Sequence, residues 1–219
     1  KIITDIETNK IKFPVNLTEK MIIKYLGKPI FEKQIQNNTL TPGLVNGLAC
    51  TSFGGSVLQL ECCMYEGKGE IKTTGALGDI LKESISVAIS YIRSHEDLFK
   101  VSDYYFNNKD IHLHALDAAI KKDGPSAGIT ITTAILSLIL NKTIPKNIAM
   151  TGEISLRGDI LQVGGIKEKV LAAYNEKITK IYIPATNAND LQDIPKKVLS
   201  KINIVKVSNY EEIYNDLFK

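Results

Sequence analysis

Ser126 stands between two glycines in the stretch KKDGPSAGIT, residues 121–130. Gly124, Ser126 and Gly128 fit G-x-S-x-G, a spacing shared by many hydrolase nucleophiles. A serine attacks when a neighbouring base takes its proton, and histidine is the commonest such base. The chain has no histidine beyond His114. That excludes the α/β-hydrolase order, in which the histidine follows the serine. An order with histidine first stays formally open through His112 or His114 and Asp117 or Asp123. Both histidines sit close upstream of the serine, whereas triads draw their parts from distant elements.

Lysine is the remaining strong base. It is protonated at neutral pH, with a pKa of about 10.4, and works as a base only where burial or a nearby cation lowers that value. A useful lysine therefore lies on an apolar face beside the nucleophile. The segment VGGIKEKVLAAYNEK, residues 163–177, offers Lys167 and Lys169 on a predicted helix that begins near Ile166. Ile166 and Val170, four apart, define a core stripe. Lys169 borders that stripe, and Lys167 points about 200° away from Lys169 at 100° per residue. The pattern favours Lys169 without deciding between the two.

Ser126 also opens a predicted apolar helix over 126–140. The first N–H groups of a helix have no intrahelical partner and carry partial positive charge. With Ser126's own N–H they suit a tetrahedral oxyanion. Two other readings remain. Ser126 can simply cap a buried helix, with Gly128 small for packing. A Gly- and Ser-rich loop entering a helix can also cradle phosphate, as in a small-molecule phosphotransferase, although GPSAG is short for that and leaves Lys169 without a role.

The elements that must hold these residues follow from periodicity and turn residues. Asn16 or Thr18 caps a helix through Tyr25, and Gly27 closes it. The polar stretch FEKQIQNNTLTPG then serves as a linker, with the main domain starting near Gly43. Strands are predicted over 45–52, 56–64 and 69–74, with Gly54–Gly55 and Glu66-Gly67-Lys68-Gly69 as turns. Leu77, Leu81, Ile85, Ala88 and Ile92 recur at helical spacing over 77–94. IHLHAL, 111–116, alternates with period two and puts His112 and His114 on one face. Short strands within KNIAMTGEISLRGDILQVGG, a helix over 166–175 and a strand over 180–185 follow. LQDIPKKVLS is a helix interrupted by Pro195. A strand over 202–207 and a closing helix complete the order. Strands early and alternation later favour an α+β domain, mixed short sheets packed with helices.

Composition narrows the class. Of 219 residues, 44% are hydrophobic and 23% charged, ordinary for a globular chain with a sizeable core. The net charge of +3, with mixed signs, gives no indication of nucleic-acid binding or of an anionic membrane surface. No stretch approaches the roughly 20 apolar residues of a membrane span, so ITITTAILSLIL is a buried helix. The three cysteines, Cys50, Cys62 and Cys63, include an adjacent pair and make no disulfide framework. They are expected to be reduced, with Cys62 and Cys63 packed in the core, and no ligand spacing suggests a metal site. The start at Lys1, without an initiator Met or a signal-peptide pattern, suggests a fragment or processed product.

Taken together, the motifs resemble the proteolytic domain of the Lon family of ATP-dependent proteases. KDGPSAG (122–128) is similar to that family's nucleophile motif, and TGEISLRGDILQVGGIKEKVLAA (151–173) to its lysine-bearing segment. IHLH (111–114), VNGLACTSFGG (45–55) and IPATNANDL (183–191) match further signatures. The resemblance covers residues 43–219, and 1–42 look like the end of the helical ATPase subdomain plus a linker. It implies a serine–lysine dyad of Ser126 and Lys169, with Thr151 orienting the lysine amine. It also implies that Asp123 can contact the lysine and switch the site, and that His112 and His114 are supporting residues. Two departures stand out: ALDAAI replaces the family's proline-glutamate-glycine-alanine stretch after IHLH, and Cys50 replaces a tryptophan.

The family further implies unfolded or damaged protein substrates, a hexameric ring, and a mitochondrial matrix or bacterial cytoplasmic setting. No G-x-x-x-x-G-K-[ST] loop occurs in the chain. No cofactor is therefore expected here, and Mg-ATP belongs to the absent ATPase domain. The implied activity of this chain alone is a weak, ATP-independent peptidase. A non-catalytic Lon-like ring-forming or binding module is the alternative.

Overall fold

In a computed structural model, residues 2–8, 14–27, 41–51, 54–116 and 122–219 are described. The chain divides into two compact units, 1–39 and 40–219. The first contains α1 (Ile2–Glu7) and α2 (Glu19–Leu26). Thr18 caps α2 by accepting from the Met21 N–H at 3.4 Å, and Gly27, at φ 92°, ends it. The Tyr25 hydroxyl donates to the Asp5 carboxylate at 2.6 Å, tying the two helices together. Most of the predicted linker, and the 117–121 part of ALDAAI with its following lysine, lie outside the described residues.

The second unit is built on a seven-stranded sheet. Its strands are β1 (Leu44–Thr51), β2 (Gly54–Glu66), β3 (Ile71–Thr74), β4 (Lys109–Ala115), β5 (Ile148–Met150), β8 (Lys180–Pro184) and β9 (Asn203–Val207). The order is β3-β4-β2-β1-β5-β8-β9. On one side of β1 the β1–β2 and β2–β4 pairs are antiparallel; on the other, β1–β5, β5–β8 and β8–β9 are parallel. A separate hairpin pairs β6 (Glu153–Ile154) with β7 (Ile160–Leu161). This mixed sheet with helices is the expected α+β class.

Each sheet face has its own core. On one, α3 (Asp79–Ser94), α6 (Gly128–Ile139) and α9 (Tyr210–Phe218) cover Val45, Leu58, Leu60, Ile111 and Leu113. On the other, α7 (Ile166–Asn175) lays Ile166, Val170 and Ala173 against Leu48, Ala149 and Ile181. The strand period explains the division, because successive residues of β1 face opposite sides. Gly47 lies under Thr130 of α6, where a β-carbon would come within 3.1 Å of its hydroxyl. Cys50, three residues on, meets Gly165 at the start of α7.

The apolar stretch over 129–140 is a buried helix, as expected. Its polar side chains are all hydrogen-bonded: Thr132 to the Gly128 carbonyl at 2.9 Å, Thr133 to the Ile129 carbonyl at 2.8 Å and to the Tyr210 hydroxyl at 2.8 Å, and Ser137 to the Lys142 carbonyl at 2.5 Å. Among the described residues no helix is long and apolar enough to cross a membrane.

Several local expectations are corrected. Gly54 and Gly55 are not a turn; they begin β2, in register with Thr51 and Cys50. Cys62 is buried, but Cys63 is exposed, because the alternation that sends Leu58, Leu60 and Cys62 inward sends Cys63 out. The segment predicted as one helix broken at Pro195 is a 3-10 helix, Ala185–Asp193, followed by α8 (Lys196–Leu199) capped by Pro195. Short α4 (Glu96–Phe99) and α5 (Tyr104–Asn108) carry no periodic signal in sequence.

Candidate active site

Ser126 sits in a 3-10 turn, Pro125–Ala127, which runs directly into α6. Gly124 ahead of it has φ 139°, a conformation that favours glycine. This is a loop-to-helix entry and not a strand–elbow–helix, so the G-x-S-x-G spacing is a coincidence of letters. The turn is held from below by two residues that follow β5. The Ser126 carbonyl accepts the Gly152 N–H at 2.8 Å and the Thr151 hydroxyl at 3.2 Å. In return, the Ile129 N–H donates to the Gly152 carbonyl at 3.1 Å. Gly128 must be small, since a β-carbon there would lie 2.8 Å from the Ile154 nitrogen. Thr151 is itself anchored by its N–H to the Tyr182 carbonyl at 3.0 Å.

Lys169 reaches the same point from α7. It is 2% exposed, whereas Lys167 lies on the solvent side of the helix. Its ammonium donates to Thr151 Oγ1 at 3.0 Å. A threonine hydroxyl has one proton and two lone pairs. Because that proton is given to the Ser126 carbonyl, Thr151 can only accept from Lys169. Burial disfavours the charged ammonium and lowers the Lys169 pKa to about 8, against an opposing electrostatic pull from Cys50. The structure thus brings Ser126, Thr151 and Lys169 into one chain of contacts. The ammonium's hydrogen bond goes to Thr151 rather than to Ser126 Oγ.

The other predicted residues are placed elsewhere. Asp123 does not contact Lys169: its carboxylate accepts the Leu81 N–H of α3 at 3.3 Å. The reason is local. Gly78 at the N-cap of α3 has no side chain, and its bare α-carbon lets the Asp123 carboxylate close against it as a substitute cap. His112 Nε2 and His114 Nδ1 both pair with the Thr74 hydroxyl, at 2.9 and 2.7 Å. They lie across from Cys63 and Glu61 of β2, with no hydrogen bond to Ser126 or Lys169. Among the described residues, no group of three or more His, Cys, Asp and Glu is arranged to hold a metal ion. Asp117 lies outside the described residues. Sequence reasoning missed Gly152, whose backbone holds the serine turn, and the contacts of Gly55 and Cys50 with α7. The only advance signal was the glycines themselves.

Comparison with known proteins identifies the family. Residues 16–219 match the family described as the Lon protease (S16) C-terminal proteolytic domain. A Lon protease of Clostridioides difficile is 48% identical over 189 residues, covering 86% of this chain and 24% of that protein. One of Lachnoclostridium phytofermentans is 46% identical over 199 residues, 91% of this chain and 25% of that protein. One of Mycoplasma mycoides is 41% identical over 203 residues, 93% and 26% respectively. The chain spans about a quarter of the length of these curated relatives. On the family match and these identities over most of its length, the chain belongs to the Lon protease family, in the part that forms the family's C-terminal proteolytic domain.

Proposed function

We propose that this chain is the proteolytic part of an ATP-dependent protease and hydrolyses peptide bonds with Ser126 as nucleophile and Lys169 as general base. The observation that carries the reading is the buried Lys169 amine, with its pKa lowered to about 8 and its orientation held by Thr151 at 3.0 Å. A neutral lysine amine needs such a dry, oriented setting to accept a proton near neutral pH. In the reaction Ser126 Oγ gives its proton to Lys169 Nζ and bonds to the substrate carbonyl carbon. The Ser126 N–H and the start of α6 receive the oxyanion. Lys169 returns the proton to the departing amine; water then loses a proton to Lys169 Nζ and bonds to the acyl carbon, and Lys169 passes that proton to Ser126 Oγ as the acid leaves.

In the whole protein, an ATPase binding Mg-ATP would unfold damaged proteins and feed them to a ring, expected to be hexameric. The phosphate-binding loop for that ATP would lie outside this chain, whose sequence contains none. Residues 1–42 would connect the two parts. The relatives compared above are bacterial, which supports the bacterial cytoplasm rather than a mitochondrial matrix as the setting. Cleavage of a fluorogenic peptide by the chain, by Ser126→Ala and by Lys169→Ala tests the proposal. Both variants should lose activity by at least about a thousandfold, as for nucleophile and base together. Cleavage at the parent rate by either would refute it.

A further inference from the structure

The β1–β2 hairpin touches the first turn of α7 at two points, and both belong to one rung of the sheet. Cys50 and Gly55 are directly opposite each other in the antiparallel register and face the same side. On the Gly55 half, a β-carbon would lie 2.0 Å from the Glu168 carbonyl oxygen and 3.0 Å from the Lys169 nitrogen. Both are backbone atoms, which cannot swing aside as a side chain can. On the Cys50 half, a β-carbon placed on Gly165 would lie 2.8 Å from Cys50 Cβ and 2.9 Å from its Sγ. Gly165 is the N-cap of α7, at φ 70°. The helix turn that carries Lys169 therefore rests directly on this rung.

We infer that the Cys50–Gly55 rung positions Lys169, by fixing how deeply the first turn of α7 seats against the sheet. The inference rests on Lys169 acting as the base. Gly55 is a positioning residue here: it touches neither Ser126 nor the Lys169 amine, and acts through the backbone of Glu168 and Lys169. Adding a methyl at Gly55 must push this turn off the sheet. Outward movement lets water reach the amine, and that water takes over the hydrogen bond that Thr151 gives up. Water restores solvation of the ammonium, so the neutral base becomes scarcer at a given pH. Among the described residues the amine interacts electrostatically with Cys50 from β1 and is hydrogen-bonded to the uncharged Thr151 after β5. On its own helix, Lys167 and Glu168 are exposed. A change in its titration therefore reports seating rather than a new charge partner.

The test is the pH dependence of peptide cleavage by the 219-residue chain and three variants. In the parent, the acid limb should have its midpoint at about 8. Gly55→Ala should move it up by about one unit, giving about tenfold less activity at pH 7 and less than about twofold loss at pH 10. Gly54→Ala is the control for backbone strain, since Gly54 has φ 117° but nothing within 4 Å of an added β-carbon; its midpoint should not move. An unmoved midpoint in Gly55→Ala, or an equal shift in Gly54→Ala, overturns the positioning role. Lys169→Ala separates this from the dyad. If it is active, the dyad and the positioning both fall; if it is inactive and the Gly55→Ala limb is unmoved, the positioning alone falls. Should Gly55→Ala fail to fold by circular dichroism, Gly165→Ala presses on the same rung from the helix side. Its shifted midpoint should return when Cys50→Gly is added, and failure to return overturns the inference.

Discussion

Replacing Thr151 by valine removes one hydroxyl while keeping the shape, and the structure dictates how the loss divides between protonation and rate. The side chain is completely buried. Its hydroxyl does two things: it donates to the Ser126 carbonyl at 3.2 Å and accepts from Lys169 at 3.0 Å. The first is backed up, because the same carbonyl also accepts the Gly152 N–H at 2.8 Å. The second is the hydrogen bond that holds the buried ammonium. A hydrogen bond to a charged group is worth about 1.5–3 kcal/mol, and 1.36 kcal/mol is one pKa unit. Losing it penalises the ammonium more than the amine, so the Lys169 pKa should fall from about 8 by about one unit. The amine also loses its orientation, and the rate on the alkaline plateau should drop about 10- to 100-fold. The two effects oppose each other on the acid side. At pH 6.5 the deficit relative to the parent should be several-fold smaller than at pH 10. The assay is kcat/KM for a fluorogenic peptide from pH 6 to 10, with circular dichroism to establish folding. A plateau within twofold of the parent, or an acid limb that stays in place, would refute the relay from Lys169 through Thr151.

Lys169 should also make the folded chain less stable than it would otherwise be. Its pKa is about 8 when folded, against about 10.4 in an unfolded chain. Between these values the unfolded state holds more protons, so stability gained from this group rises with pH across that window and the full cost is present below it. The gap corresponds to about 3 kcal/mol. Lys169→Met should therefore raise Tm at pH 7 while abolishing hydrolysis, and the gain should shrink towards pH 10 in urea titrations. Equal stability at both pH values would contradict the burial argument. A third prediction concerns the thiols: Cys50 and Cys63 are exposed, while burial pushes the Cys62 thiol up to about 12. Native protein should release two equivalents of thionitrobenzoate quickly and the third only on unfolding; three fast equivalents would show that β2 does not bury Cys62.

The sequence carried the local structure of the site better than its assembly. The helix Ile166–Asn175 has the predicted bounds, because Gly164–Gly165 ends the preceding loop and Ile166, Val170 and Ala173 mark one face. That same stripe separates Lys169 from Lys167, and their burial follows it. Cys63 was readable too, had the period of two been followed from Leu58 through Leu60 to Cys62. What could not be read was contact between distant segments. Asp123 capping α3 joins residues 42 apart, and nothing near Asp123 shows that Gly78 leaves a helix end uncapped. Gly55 showed the same difficulty: two adjacent glycines followed by Ser56 have the composition of a turn. The place of Gly55 within β2 is set by an α7 backbone more than a hundred residues away, which leaves no room for a β-carbon.

If Lys169 is the base, as proposed, the topology gives a reason for its being a long side chain. Residues alternate across β1, so α6, over Gly47, and α7, against Cys50, lie on opposite faces of the sheet. Ser126 belongs to the first and Lys169 to the second. A sheet interior separates its faces, and they meet only where a strand stops. β5 stops at Met150, while its neighbour β1 continues beyond the paired Gly47 to Thr51. Thr151 and Gly152 occupy that end, and they are the residues that grip the Ser126 turn. An imidazole is short and would have to sit on the serine's own face. Lysine carries its nitrogen on four methylenes, which can pass the strand end through apolar surroundings and be desolvated on the way. The strand end that lets the amine reach Thr151, beneath the serine turn, also buries it and lowers its pKa, so on the proposed mechanism reach and basicity have one structural origin.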